Sequence, residues 1–370
     1  MKRFAPCLCL LALLGCPKKQ VPHTIGLALD VGGRGDQSFN DGALRGLEVM
    51  AAGLRYTAHG YERLGEEEYR SLLAPDLRGQ SFPHLGIPAP LILSGKAQED
   101  YEPNLQLLVD QGAELAIAVG FMLEPATRAV AARNPKARFL LIDSPVLDGA
   151  GKPTTAPNVR AVVFREHEGT FLAGALAGRL TRSKVGFVGG MQLPLIRKFE
   201  TGFRAGVRHV NPAVEVLVVY TGTFDDEKKG IEVGRDLYRR GCDIVFHAAG
   251  LDGLGVIKAA QQEGKLVIGV DSDQSHVAPA NVLTSMVKHV DVAVYRAVKD
   301  VLDGRFAGGD VVLGLAEGGV GLAPIGSMIT GPERANAVVE LDRLRAEIVA
   351  GQLAIPATLD DLAKSAAARR

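Results

Sequence analysis

The sequence predicts an α/β protein made of two doubly wound parallel-sheet lobes joined by a three-strand hinge. Three observations carry that expectation. Short apolar, β-branched runs alternate with amphipathic helices along most of the chain, the pattern of a parallel sheet covered by helices on both faces. Glycine turns repeatedly join a strand end to a helix start, as at residues 30–35 and 189–190. The length of 370 residues exceeds what one hydrophobic core usually holds and favours two domains.

Composition narrows the partners. Hydrophobic residues make up 47% of the chain and charged ones 23%, as in a folded globular protein rather than a disordered one. Lys plus Arg and Asp plus Glu both number 42, so no charge excess argues for nucleic acid or an anionic membrane surface as a partner. Tryptophan is absent and aromatics are scarce, which makes each phenylalanine beside a glycine turn more informative.

At the N-terminus, Lys2 and Arg3 precede an apolar run over residues 8–14 that is too short to span a bilayer. Leu13-Leu14-Gly15-Cys16 then gives a small-residue cleavage pattern ending in cysteine. It resembles a bacterial lipobox, which implies cleavage before Cys16 and lipid attachment to it; an ordinary signal leaving a free cysteine is the alternative. Residues 1–15 read as a signal peptide and 16–24 as a polar tether. Cleavage leaves Cys16 and Cys242, and an acylated Cys16 permits no internal disulfide.

The first lobe opens with a strand at 25–29, a loop with three glycines, and a helix from Ser38-Phe39-Asn40 through Leu44, Leu47 and Met50. Residues 60–90, charged in GEEEYR and turn-rich in FPHLGIPAP, read as an insertion making a surface excursion. Strands follow at 91–93, 115–119 and 139–143, with helices between. Residues 156–164 read as a crossing into the second lobe, whose strands are expected at 185–188, 214–220, 244–247 and 266–270. A last crossing at 282–288 leads to the helix VDVAVYRAVKDVLDG, which returns to the first lobe, and 311–315 is its closing strand. The first lobe thus comprises 25–158 and 284–312, and the second 159–283 and 313–370. The tail after Pro324 ends in a helix over 337–350 that closes the second lobe or packs at the hinge.

In an open α/β sheet, ligands bind beyond the carboxyl ends of the strands. Phe199 sits there in VGFVGGMQLPLIRKFETGFRAG, in the first turns of a helix after a strand and a glycine turn. A core aromatic on the buried helix face is the competing reading. Phe39 stands at the matching turn of the other lobe, so two rings could hold a flat ligand between them. Asp30, Asp36, Glu124, the glycine turn from Gly250 to Gly255, Asp271, Asp273 and Lys288 also fall at expected strand ends. A carboxylate there can accept from two adjacent hydroxyls, and a lysine can donate to a carbonyl or ring nitrogen. Asp30, Asp36 and Asp271 could instead cap turns.

The segments DQSFND, YEPNLQLLVDQG, NVRAVVFREHEGTFLAGALAG, VGFVGGMQLPLIRKFETGFRAG, HAAGLDGLGV, GVDSDQ, LTSMVKHVD and LAEGGVGL resemble the basic membrane protein lipoproteins. These are also called PnrA-like purine nucleoside receptors of ABC transporters. The resemblance covers residues 25–322 and implies a type I periplasmic binding protein fold, an extracytoplasmic monomer and a permease as partner. It implies that Phe39 and Phe199 sandwich a purine, that Asp271 and the backbone at Gly250 take the ribose, and that Lys288 and Asp30 contact polar edges. Two positions depart from the family: Gly35-Asp36 stands where an Asn-Asp pair is common, and Glu124-Pro125 where an aspartate follows a Gly-Phe turn. No cofactor, metal or catalytic residue is expected. A nucleoside hydrolase would need a calcium ion held by aspartates packed into the first loop, which offers glycines and Arg34 instead. A ligand-responsive sensor, or a receptor for another small metabolite, would use the same pocket.

Overall fold

The computed structural model describes residues 24–367; the expected signal peptide and Cys16 lie outside them. Most strands assemble into two six-stranded sheets, and the rest form two short hairpins. The first runs, in spatial order, Gly309–Leu313, Val159–Phe164, Phe139–Ile142, Leu115–Val119, Ile25–Leu29 and Leu91–Ser94, all parallel. The second runs Val216–Tyr220, Lys184–Gly189, Cys242–Ala248, Leu266–Asp271, Val282–Lys288 and Val320–Leu322, with only the last strand antiparallel. The central strands are buried along their whole length, as in IGLAL and LAIAV, because helices cover both faces of each sheet.

Three connections join the lobes, and sheet pairing fixes where they fall. Val159–Phe164 pairs with Phe139–Ile142 and Gly309–Leu313 in the first sheet, so the chain leaves that lobe at Arg165 rather than at 159. Val282–Lys288 lies wholly in the second sheet, and the return comes at His289 rather than at 284. The helix Val290–Leu302 then packs on the first lobe, and residues 314–319 make the third passage. The tail helix Gly331–Val349 buries Ala337, Leu344 and Ile348 and packs on Glu166–Leu180, in the second lobe.

The stretch expected as a surface excursion is instead built into the first lobe. It forms the hairpin Leu54–Thr57 with Gly60–Arg63, the helix Glu66–Leu72 and the turn Pro75–Leu77. Leu64, Tyr69, Leu73, Leu77 and Ile87 are buried in the larger core. The Tyr295 hydroxyl donates to the Pro83 carbonyl at 2.8 Å, and His289 Nε2 lies 2.8 Å from Asp76 Oδ2. Its apolar residues explain the difference, since a segment that buries five of them cannot stay on the surface without exposing them.

The helix Pro194–Val210 carries Phe199. Proline occupies its first turn, where the missing N–H costs nothing, and Ile196, Phe199, Phe203 and Val207 form its buried face. Gly206 lets it press against Glu166–Leu180: a Cβ there would meet the Phe171 carbonyl at 2.0 Å. That contact fixes the helix, and with it the wall of the cleft.

Candidate functional site

A cavity of about 70 Å³, partly open to solvent, lies between the carboxyl ends of the two sheets. Asp30, Asp36, Phe39, Phe199, Gly250, Asp271 and Lys288 all line it. Phe39 starts the first helix of one lobe, and Phe199 enters from the other. Gly120 makes room on the first side: a Cβ there would stand 3.0 Å from Asp30 Oδ2 and 3.6 Å from the Phe39 ring. Its φ of 113° is also one that side-chain-bearing residues avoid.

Glu124 does not line the cavity. It opens the helix Glu124–Arg133, is buried, and its Oε1 accepts from the Leu147 N–H at 2.9 Å and from Arg128 at 3.2 Å. Those bonds tie the loop after Phe139–Ile142 to the helix start and leave the carboxylate turned to structure.

Asp36 lines the cavity yet works as a cap. Its oxygens accept from the backbone N–H groups of Ser38, Asn40 and Asp41 at 2.8 to 3.1 Å, satisfying the open end of the first helix. Asp30 Oδ1 accepts from Gly32 N–H at 3.0 Å and Asn40 Nδ2 at 2.8 Å. Asp271 is not a turn cap: its Oδ2 accepts the Ser38 hydroxyl of the opposite lobe at 2.6 Å.

Lys288 is the electrostatic centre. Its Nζ lies 2.6 Å from Asp143 Oδ2 and 3.8 Å from both Asp271 Oδ1 and Glu166 Oε1. The same atom stands 4.7 Å from the Phe39 ring centroid, 5.3 Å from Phe199 and 5.4 Å from Phe164. Burial works against the ammonium, but the three carboxylates, Asp143 foremost, overcome it and hold the pKa above the ordinary lysine value. Burial raises the Asp143 and Asp271 carboxyls, and the Lys288 charge opposes that rise in both. The site therefore offers aromatic faces, one fixed cation and an excess of acceptors, which suits a flat, hydroxyl-bearing neutral molecule.

Several lining residues were not singled out from the sequence. Asp143 directly follows the strand Phe139–Ile142, where the strand-end rule could have found it. Phe121 and Phe224 meet edge to face across the cleft with centroids 6.3 Å apart. Asn40 adjoins Phe39 and presents a buried Oδ1 with no hydrogen-bond partner.

Two mainly parallel-sheet lobes that enclose a cavity and exchange three connections are the architecture of the type I periplasmic binding class. The chain belongs to the PnrA-like family of ABC transporter substrate-binding proteins, whose model matches residues 24–358. Basic membrane protein B of Borrelia garinii subsp. bavariensis is 37% identical over 229 residues, 60% of this chain and 66% of that protein, just under two thirds. Basic membrane protein A1 of the same organism is 29% identical over 347 residues, covering 92% of this chain and 90% of its own. An ABC transporter solute-binding protein of Aeropyrum pernix K1 superposes with a TM-score of 0.72 at 26% identity, over 93% of this chain and 96% of its own.

Proposed function

We propose that this chain is an extracytoplasmic, lipid-anchored receptor that captures a purine nucleoside between its lobes and delivers it to an ABC transporter permease. The observation that carries this reading is the pairing of Phe39 and Phe199, one from each lobe, on a cavity that also holds Asp271 and Lys288. Aromatic faces suit a base, since every base has a π-face to stack. Buried carboxylate oxygens suit sugar hydroxyls, and the Lys288 ammonium suits a ring nitrogen or carbonyl.

The test is the melting temperature of the mature protein against nucleosides, free bases, sugars and amino acids, because a ligand that binds only the native state raises it by mass action. Purine nucleosides should give the largest rise. A rise with sugars or amino acids alone overturns the nucleoside assignment, and slow release of free base from inosine would point to a hydrolase. For the anchor, Cys16→Ser should move the protein from the membrane fraction to the soluble one.

A further inference from the structure

We propose that Asp143 contacts the ligand, and that Asp143 and Asp271 divide a vicinal hydroxyl pair between them, one hydroxyl to a carboxylate of each lobe. This deepens the nucleoside reading and rests on it. Asp143 follows Phe139–Ile142 in the first sheet, and Asp271 ends Leu266–Asp271 in the second. Each is followed by serine, in IDS and VDS, so the two lobes repeat a motif. Both adopt a left-handed φ, 72° and 63°; Gln37 is the other non-glycine residue that does so among those described. That conformation carries a steric cost, and such residues cluster where function requires them.

The hydrogen bonds divide the work of the two carboxylates. Asp271 Oδ2 accepts from Ser38, and Asp143 Oδ2 from Lys288, both at 2.6 Å. The Oδ1 atom of each is buried without a hydrogen-bond partner. Asp271 Oδ1 is 3.8 Å from Lys288 Nζ, beyond hydrogen-bond distance. A buried carboxylate oxygen without a donor is costly, and a ligand hydroxyl removes that cost. Because the opposite lobe already engages one oxygen of Asp271, a diol there finds a single open acceptor. The second hydroxyl needs another, and Asp143, which shares Lys288 with Asp271 and also lines the cavity, supplies it through Oδ1. Charge agrees: Lys198 meets Glu166 at 2.9 Å, so among the described residues Lys288 is the cation paired with Asp143 and Asp271, and the remaining negative charge favours neutral donors over anions.

Calorimetry tests this with inosine, 2′-deoxyinosine, 3′-deoxyinosine and hypoxanthine, on the wild type, Asp143→Asn and Asp271→Asn. Asparagine keeps the side-chain shape and tolerates a left-handed φ. Wild type should bind each deoxynucleoside about 10-fold to 150-fold more weakly than inosine, the range for a hydrogen bond to a charged group. Asp143→Asn should weaken inosine by a similar factor and leave one deoxynucleoside near its wild-type affinity, with Asp271→Asn sparing the other. An equal loss on all four compounds would assign Asp143 to holding Lys288 and overturn the proposal while the nucleoside reading stands. An unchanged inosine affinity in Asp143→Asn overturns it too. If the asparagine variant does not fold, Asp143→Gly, which suits that φ, goes through the same series. The wild type alone also decides: no loss on removing either hydroxyl refutes the division. A wild type that binds none of the four compounds overturns the nucleoside reading and this inference together.

Discussion

The Ser38 hydroxyl, at the start of the first helix of one lobe, donates to Asp271 Oδ2 of the other lobe at 2.6 Å. Around it, Ser272 Oγ donates to the Ser38 carbonyl at 3.2 Å and Gln274 Nε2 to the Gln37 carbonyl at 3.2 Å. The carboxylate that faces the cavity is thus also a fastening between the lobes, and if it takes the ligand as proposed, binding and closure are coupled. Ser38→Ala should cost about 1.5 to 3 kcal/mol of closed-state stability, as expected for a hydrogen bond to a charged acceptor. Inosine affinity should drop correspondingly in calorimetry; an affinity equal to wild type would show that the fastening contributes nothing.

The three connections at Arg165, His289 and residues 314–319 are the places where the lobes can bend apart, since the sheets on either side are continuous. Solution scattering should therefore give a smaller radius of gyration with saturating inosine than without. The same radius in both states argues for a rigid pocket and against capture by closure.

His289 predicts a pH dependence of stability. Its Nε2 lies 2.8 Å from Asp76 Oδ2 and its Nδ1 3.4 Å from Asp291 Oδ1. Burial alone would lower its pKa, but the two carboxylates overcome that and raise it to about 9. A histidine pKa raised in the folded state adds stability that is complete below its unfolded value near 6.5 and is lost as pH climbs through 9. The loss should be on the order of 3 kcal/mol at most, carried mainly by buried Asp291, because solvent screens the more exposed Asp76. Urea midpoints measured from about pH 6 to about pH 10 should fall for wild type and much less for His289→Gln. Parallel curves would mean that the imidazole is not held protonated.

The strands were legible because parallel strands covered on both faces must read as unbroken apolar runs, and the strand-end rule then selected Asp30, Phe39, Phe199, Gly250, Asp271 and Lys288. The rule locates a residue near the cleft but does not say where its side chain is spent. Glu124 and Asp36 meet it and are consumed by backbone N–H groups, a bond that depends on loop geometry rather than on spacing. Asp143 meets it as well, but its left-handed backbone and its bond to Lys288 across the cleft are long-range facts. The insertion misled for a related reason: Leu64, Tyr69, Leu73 and Leu77 are spread over a hairpin end, a short helix and a turn, and what buries them is long-range packing, including contacts of Leu54–Thr57 and Glu66–Leu72 with residues 45–51.

The clearest test of a base-stacking site lies in the inequality of its two walls. Phe199 is 2% exposed and belongs to the main core, whereas Phe39 is only partly buried and packs against that core from outside. If both rings clamp a purine, Phe39→Ala and Phe199→Ala should each weaken inosine binding by about 1 to 3 kcal/mol, the range for one aromatic face. That is roughly 5-fold to 150-fold. Phe199→Ala should in addition lower stability by about 3 to 5 kcal/mol through the cavity it leaves, while Phe39→Ala should lose much less. Phe39→Tyr keeps the ring face and should bind more tightly than the alanine variant. Calorimetry on variants that still unfold cooperatively separates the two roles. A well-folded Phe39→Ala protein with undiminished inosine affinity would sink the clamp, and the site would then rest on its polar groups alone.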